Sequence, residues 1–277
     1  MPARSTLFAA SLVLTAIVSG AATAQTEPTE PYPVWLSPSF GLDGLDDVER
    51  RLEDPAWFGR SIPLYKGERG NRQEAIADSC GSLDRIRQEG YDARSTHSIR
   101  VLRYHLAKCR ALEMLSEAKP SRISYVKGVT LNPGIVDYLP ALVEPSGSCD
   151  NLCRQVDANE RCVPWSKFGV SRLDPSIFES IDVVDPHQMD VKTNTSLLTL
   201  QILARADFND DGLEDLLLRV NAGAIGGTWG TTKVYVLTRD RADGVLRVVD
   251  AERYLCSADN YTCDETYGYT RNPCKAN

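Results

Sequence analysis

Apolar residues recur at helical spacing in the first half of the chain and alternate with polar residues in the second half. Four stretches have the spacing of three and four residues that is typical of amphipathic helices: 42–57, 71–88, 95–118 and a shorter one from Asn132. The third is the clearest, because Ser95 or Thr96 can cap its start and Pro120 follows its end. The pattern predicts a helical region over residues 42–143.

Beyond Asn194 the period changes to two, which predicts strands. The expected strands are 197–206, 215–220, 233–238 and 245–249. Short turns separate them, and consecutive strands with short turns favour an antiparallel meander. Residues 170–184 fit either a helix or a strand. We therefore expect an α+β fold, in which a connector over 144–164 joins the helical region to an antiparallel β region over 165–277.

The turn between the first two expected strands is rich in oxygen donors. They recur at alternate positions and again at the end of the loop: Asp207, Asn209, Asp211 and Asp215. Gly212 allows the sharp turn that would bring these side chains round one point, because it has no Cβ to clash. Calcium takes about six to eight oxygen ligands, so a backbone carbonyl near Leu213 and water would complete the shell. The spacing predicts a calcium site, although Asp, Asn and Gly also dominate metal-free turns.

An EF-hand loop shares the first six positions but requires glutamate at the twelfth and a helix after it. Here the twelfth position is Leu218, and the flanking residues alternate as strands do. The stretch instead resembles the D-x-N-x-D-G-x-x-D loop of FG-GAP and VCBS-type repeats, found in integrin-like propellers and many secreted bacterial proteins. The resemblance covers only Leu198 to Val234, and the loop occurs once, whereas a propeller needs several repeats. It implies a single blade-like meander with calcium in the turn between two strands.

The first 24 residues have the layout of a cleaved secretory signal. Arg4 precedes an apolar run from Leu7 to Val18, and small residues end the segment at Ala24. That run is shorter than the roughly 20 residues of a membrane span, and no second long apolar run follows. We expect cleavage near Ala24, a periplasmic or secreted mature chain without a membrane span, and an extended proline-containing leader over 25–41.

All eight cysteines lie after the expected signal: Cys80, Cys109, Cys149, Cys153, Cys162, Cys256, Cys263 and Cys274. An even number in an exported chain favours four disulfides. Cys80 and Cys109 fall on consecutive predicted helices, so a bridge between them is plausible. If that pair forms, three cysteines remain in the connector and three near the C-terminus, and an odd number of bridges must join the two groups.

Charge and motif content exclude several functional classes. The formal net charge is −7, and no basic cluster is present, which disfavours nucleic acid as a partner. His97 and His105 are too far apart on one helix to share a metal ion. The glycines over 223–230 precede an expected strand rather than a helix, so a hairpin connection is favoured over phosphate binding. Trp229 in that connection could stack on a sugar or cover the sheet.

These observations predict an exported, calcium-binding protein of the cell envelope that is a non-enzymatic binder or scaffold, with an envelope protein or glycan as its partner. One alternative is a hydrolase of peptidoglycan or polysaccharide, in which paired carboxylates act in a cleft between the two halves. Another is an inhibitor or immunity protein whose acidic surface masks a secreted toxin. The sequence leaves these alternatives open.

Overall fold

A computed structural model describes residues 32, 34–68, 70–144, 149–168 and 177–251. The helices are α1 (Asp46–Leu52), α2 (Pro55–Phe58), α3 (Cys80–Gln88), α4 (Thr96–Ser116) and α5 (Cys149–Glu160). Short 3-10 helices occupy Pro38–Phe40, Pro133–Asp137, Ala141–Val143 and Trp165–Lys167. The strands are β1 (Trp35–Leu36), β2 (Ile62–Lys66), β3 (Gln73–Ala77), β4 (Phe178–Asp185), β5 (Gln188–Thr193), β6 (Ser196–Ala206), β7 (Asp215–Ala224), β8 (Gly230–Thr238) and β9 (Arg247–Ala251). The expected α+β class, with helices before the sheet, is confirmed.

The main sheet is an antiparallel meander in the order β4–β5–β6–β7–β8–β9. Strands β6 to β9 lie where the alternating pattern predicts them. Of the ambiguous stretch over 170–184, the part that the structure describes lies mostly in strand β4, and β5 is an addition that the pattern does not predict. The short β1 pairs with the end of β6, where Trp35 lies opposite Arg205.

The central strands of the sheet are buried on both faces, so the sheet separates two apolar cores. On one face, Leu200 of β6 and Leu218 of β7 pack with residues of α5 and of the neighbouring 3-10 helices. On the other face, Leu217 of β7 and Val236 of β8 pack with α1 to α4 and with β2. A bulge at the end of β6 places Leu203 in this second core. Burial on both faces explains the near-continuous apolar runs of β6 and β7.

The N-terminal region is not wholly helical as expected, because β2 and β3 form a separate hairpin within it. The helix expected over 71–88 is a strand followed by α3. Ser79 caps α3 by accepting a hydrogen bond from the Ser82 amide at 3.1 Å, so the helix begins only there. The helix expected over 42–57 is likewise divided into α1 and α2, since Asp54 caps a new helix whose first residue is Pro55.

The disulfide expected between Cys80 and Cys109 is confirmed, with a Cα–Cα distance of 5.4 Å. It joins the first residue of α3 to the middle of α4. Cys162 is disulfide-bonded as well. Cys149 and Cys153 lie in α5, but their side chains are outside the description, and so are the three C-terminal cysteines.

The expected signal segment and residues 252–277 lie outside the described residues, as does most of the expected leader before Trp35. The part of the leader that is described contains β1 and a 3-10 helix. Within the described ranges, no helix combines the length and the apolar character that a membrane crossing requires.

Candidate metal centre

The acidic loop joins two central strands of the sheet. Strand β6 ends at Ala206, and β7 begins at Asp215 immediately after the loop. The strand–turn–strand setting is therefore the one expected, and an EF-hand's exiting helix is replaced by β7. The two ends of the loop are buried, since Asp207 is 4% exposed and Asp215 is 0% exposed. Asn209 and Asp211 lie at the exposed tip.

Backbone amides of the loop hold its side chains in place. Asp207 accepts from the amides of Asp211 and Gly212 through its two carboxylate oxygens, at 3.2 and 2.8 Å. Asn209 Oδ1 accepts from the Asp211 amide at 3.2 Å, and Asp211 Oδ1 accepts from the Leu213 amide at 2.8 Å. The turn needs a left-handed backbone at Gly212, where φ is 84°. The sequence pattern therefore produces a loop whose acidic side chains fold back on their own backbone.

Asp215 is the most perturbed carboxyl of the loop. Its Oδ2 accepts from the Phe208 amide at 3.1 Å, whereas its buried Oδ1 accepts no hydrogen bond from any described residue. Burial raises the pKa of Asp215 to about 7, and the carboxylates of Asp211 and Asp207 act in the same direction. The nearby Thr238 hydroxyl and the Phe208 amide oppose this rise in pKa only in part. The Oδ1 atom of Asp215 is therefore a buried acceptor whose interaction with the Thr238 hydroxyl falls short of hydrogen-bond geometry, since the Thr238 oxygen makes no hydrogen bond within the described part of the chain either.

The loop is also anchored to the segment that follows α4, a contact that sequence reasoning missed. Lys119 and Asp207 exchange two backbone hydrogen bonds of 3.0 and 2.9 Å. Ile123 donates its amide to the Gly212 carbonyl at 3.1 Å and accepts from the Glu214 amide at 2.8 Å. Both ends of the loop are thus tied to one short backbone segment. No local pattern reveals this contact, because the partners are about 90 residues apart in the chain.

The donor chemistry suits calcium, but the side chains are not gathered into a preformed cluster. Among the described residues, no three His, Cys, Asp or Glu side chains are arranged to hold a metal ion. The carboxylates of Asp207 and Asp211 face loop amides instead. An oxygen that accepts one amide hydrogen bond still has a second lone pair, so the same atom can ligate a cation. The loop therefore supplies oxygen donors of the kind that calcium prefers, without a preformed site among the described residues.

The other candidate residues make contacts of their own in the fold. His105 is buried against the Phe58 ring, with 4.2 Å between ring centroids, and His187 contacts the Trp35 ring at 4.7 Å. Trp229 is half-buried and packs against the core of the α5 face. The glycine-rich stretch connects β7 to β8, as the hairpin interpretation predicts.

Comparison with protein families, with curated proteins and with solved structures finds no match for this chain. The likeness to FG-GAP and VCBS-type loops therefore depends on the loop motif and its position between two strands.

Proposed function

We propose that this chain is an exported, calcium-binding protein of the cell envelope that acts as a binder or scaffold rather than as a catalyst. The observation that carries the calcium part is the buried Oδ1 of Asp215, which lacks a partner inside a loop of further acidic side chains. A buried acceptor without a partner destabilises a protein by about 1–3 kcal/mol. A divalent cation would satisfy this atom and neutralise the carboxylates beside it.

Calcium at this turn would act as a structural ion. The loop holds β6 and β7 on one side and the backbone of Lys119 and Ile123 on the other. An ion that orders the loop would therefore stabilise the junction between the sheet and the segment after α4. Extracellular calcium modules bind in the range of roughly 10⁻⁴–10⁻³ M, and the exposed ligands Asn209 and Asp211 suit such a weak site.

Calorimetric titration with calcium tests the assignment, using two neighbouring substitutions that change the charge equally. Asp211→Asn alters a proposed ligand. Asp210→Asn alters an exposed residue whose carboxylate pairs with Lys119 at 2.7 Å, and asparagine tolerates its left-handed φ of 62°.

We expect one calcium site in the wild type, binding at least about tenfold weaker in Asp211→Asn, and little change in Asp210→Asn. Equal weakening of calcium binding in both variants would show that only the net charge matters, and would contradict the ligand assignment. The absence of calcium binding to the wild type would remove the proposal's main support.

The binding or scaffolding role is tested by affinity capture from an envelope fraction, performed in calcium and in a chelator. We expect an envelope glycan or protein to be retained by the wild type. Turnover of cell-wall polymer by the purified chain would instead favour the hydrolase alternative.

A further inference from the structure

A row of polar side chains crosses five strands on the face of the sheet that carries α4. The residues lie directly opposite one another from strand to strand: Asp182, Asp190, Thr199, Asn221 and Thr232. We call this set the polar row. Asn221 lies on the same face as Leu217, because alternate residues of a strand share a face. Helix α4 covers Leu217 and the apolar part of this face, while Asp182 and Asn221 are exposed.

Four residues of the polar row, all except Thr232, line a groove of about 590 Å³. Arg100, from the second turn of α4, forms part of its wall and lies directly over Gly230, because a Cβ at Gly230 would be 2.6 Å from Arg100 Nε. Gly223 contributes to the lining beside it. The groove thus combines a basic wall at the β8 side with two carboxylates at the β4 side.

The two carboxylates place like charges at opposed positions of the β4–β5 pair. Asp182 lies directly opposite Asp190 on adjacent strands, and directly opposed like charges destabilise an antiparallel pair. Thr199 donates a hydrogen bond of 2.7 Å to Asp190, which orients that carboxylate without neutralising it. Lys192, which shares this face, forms its ion pair with Glu179 at 2.6 Å instead. A solvated sheet face requires polar residues, but it does not require an opposed acidic pair, so this arrangement points to a ligand.

We propose that the polar row binds a linear, neutral or amino-bearing oligosaccharide that lies across the strands. Adjacent strands are roughly 4.8 Å apart, which is comparable to the advance of one pyranose residue in an extended glycan. Each sugar would then meet the side chain of one strand. Carboxylates accept from hydroxyls, the Asn221 amide both donates and accepts, and Arg100 donates. Asp182 and Asp190 repel phosphates and uronates, whereas an extended peptide would add to a strand edge instead.

The groove can be filled by one substitution that the backbone tolerates. The φ of Gly223 lies outside the left-handed region, and a Cβ there would meet its nearest described neighbour, the Trp229 carbonyl oxygen, at an ordinary 3.7 Å. Gly223→Leu therefore adds bulk to the groove lining without backbone strain. Asp182→Asn removes one charge of the opposed pair. Asp243→Asn removes an exposed carboxylate from the turn before β9 and is the matched control.

The test is calorimetric titration with four linear hexasaccharides, made of β-1,4-linked glucose, N-acetylglucosamine, glucosamine and, as the anionic probe, galacturonic acid. We expect the wild type to bind at least one of the first three, both in calcium and in a chelator. Gly223→Leu should abolish that binding, and Asp243→Asn should leave it unchanged. Asp182→Asn should weaken it by roughly tenfold while raising the melting temperature, because the repulsion is relieved.

Three results would overturn the proposal. The first is a wild type that binds no hexasaccharide or only the galacturonic acid probe. The second is undiminished binding by Gly223→Leu, and the third is a loss of thermal stability together with binding in Asp182→Asn. Because binding is expected in the chelator as well, failure of the calcium assignment would leave this proposal standing.

Discussion

Replacing Asp215 with asparagine removes a buried charge from the acidic loop. We expect this substitution to increase the stability of the protein by an amount that depends on pH. The pKa of Asp215 is about 7 in the folded protein and about 3.9 in an unfolded chain. The folded state therefore binds this proton more tightly, so the metal-free wild type loses stability as pH rises from about 4 to about 7. The difference between the two pKa values corresponds to roughly 4 kcal/mol, which is fully lost above about pH 7.

Asparagine has no titrating proton and keeps an acceptor for the Phe208 amide, so it avoids this loss. Urea unfolding of both proteins in metal-free buffer, from pH 4.5 to 8.5, measures the effect. The free energy of unfolding of Asp215→Asn should rise relative to wild type by roughly 3 kcal/mol across this range, because part of the total is already lost at pH 4.5. At high pH, calcium tenfold above its dissociation constant should recover roughly 1.4 kcal/mol of this gap in the wild type. Parallel curves at all pH values would refute the reasoning.

The difference in the free energy of unfolding between the two proteins is the informative quantity, because His105 gives the wild type a pH dependence of the opposite sign. Burial lowers the pKa of His105 to about 4, and the Lys108 charge contributes to the lowering. Its stabilising effect is present above the unfolded value of about 6.5 and is lost as pH falls toward 4. The wild-type curve alone therefore contains two opposing slopes, and the substitution isolates that of Asp215.

Three further predictions concern the fold and its processing. Replacing Cys80 and Cys109 together with alanine should lower the free energy of unfolding by roughly 3–4 kcal/mol, because the bridge closes a loop with a sequence separation of 29; an unchanged urea midpoint would contradict this. Ser95→Ala should destabilise the protein by about 1 kcal/mol through loss of the α4 cap. His97→Ala, on the exposed first turn of the same helix, should have little effect. Equal losses of stability in the two variants would contradict the capping role. Mass spectrometry of the exported chain should find Gln25 as its first residue, and an intact N-terminus would contradict cleavage near Ala24.

The longest helix and the two central strands could be predicted from sequence because the patterns that indicate them are local. Helix α4 has an apolar stripe, a serine cap and a following proline, and these three signals indicate the same helix. Strands β6 and β7 flank a specific turn, and every second residue of each strand is apolar. The hairpin of β2 and β3 could not be predicted, because its strands are short and the alternation of Ile62 and Leu64 gains meaning only when they are buried against α4 and its neighbours.

The composition of the candidate site was also predictable, but its surroundings were not. The spacing of the oxygen donors specifies a tight acidic turn without any tertiary information. The burial of Asp215 and the anchoring of the loop on Ile123 depend on contacts between distant segments. The polar row depends on strand register, which pairs Asp182 with Asp190 through a β5 strand that the alternating pattern did not indicate.

Thermal melting with and without calcium tests the central claim, that a divalent ion binds at the β6–β7 turn. At calcium tenfold above the dissociation constant, linkage adds roughly 1.4 kcal/mol, which corresponds to a rise of about 3–6 °C for a chain of this size. We expect this rise in the wild type and its loss in Asp211→Ala. Equal melting temperatures of the wild type in saturating calcium and in chelator would contradict the assignment.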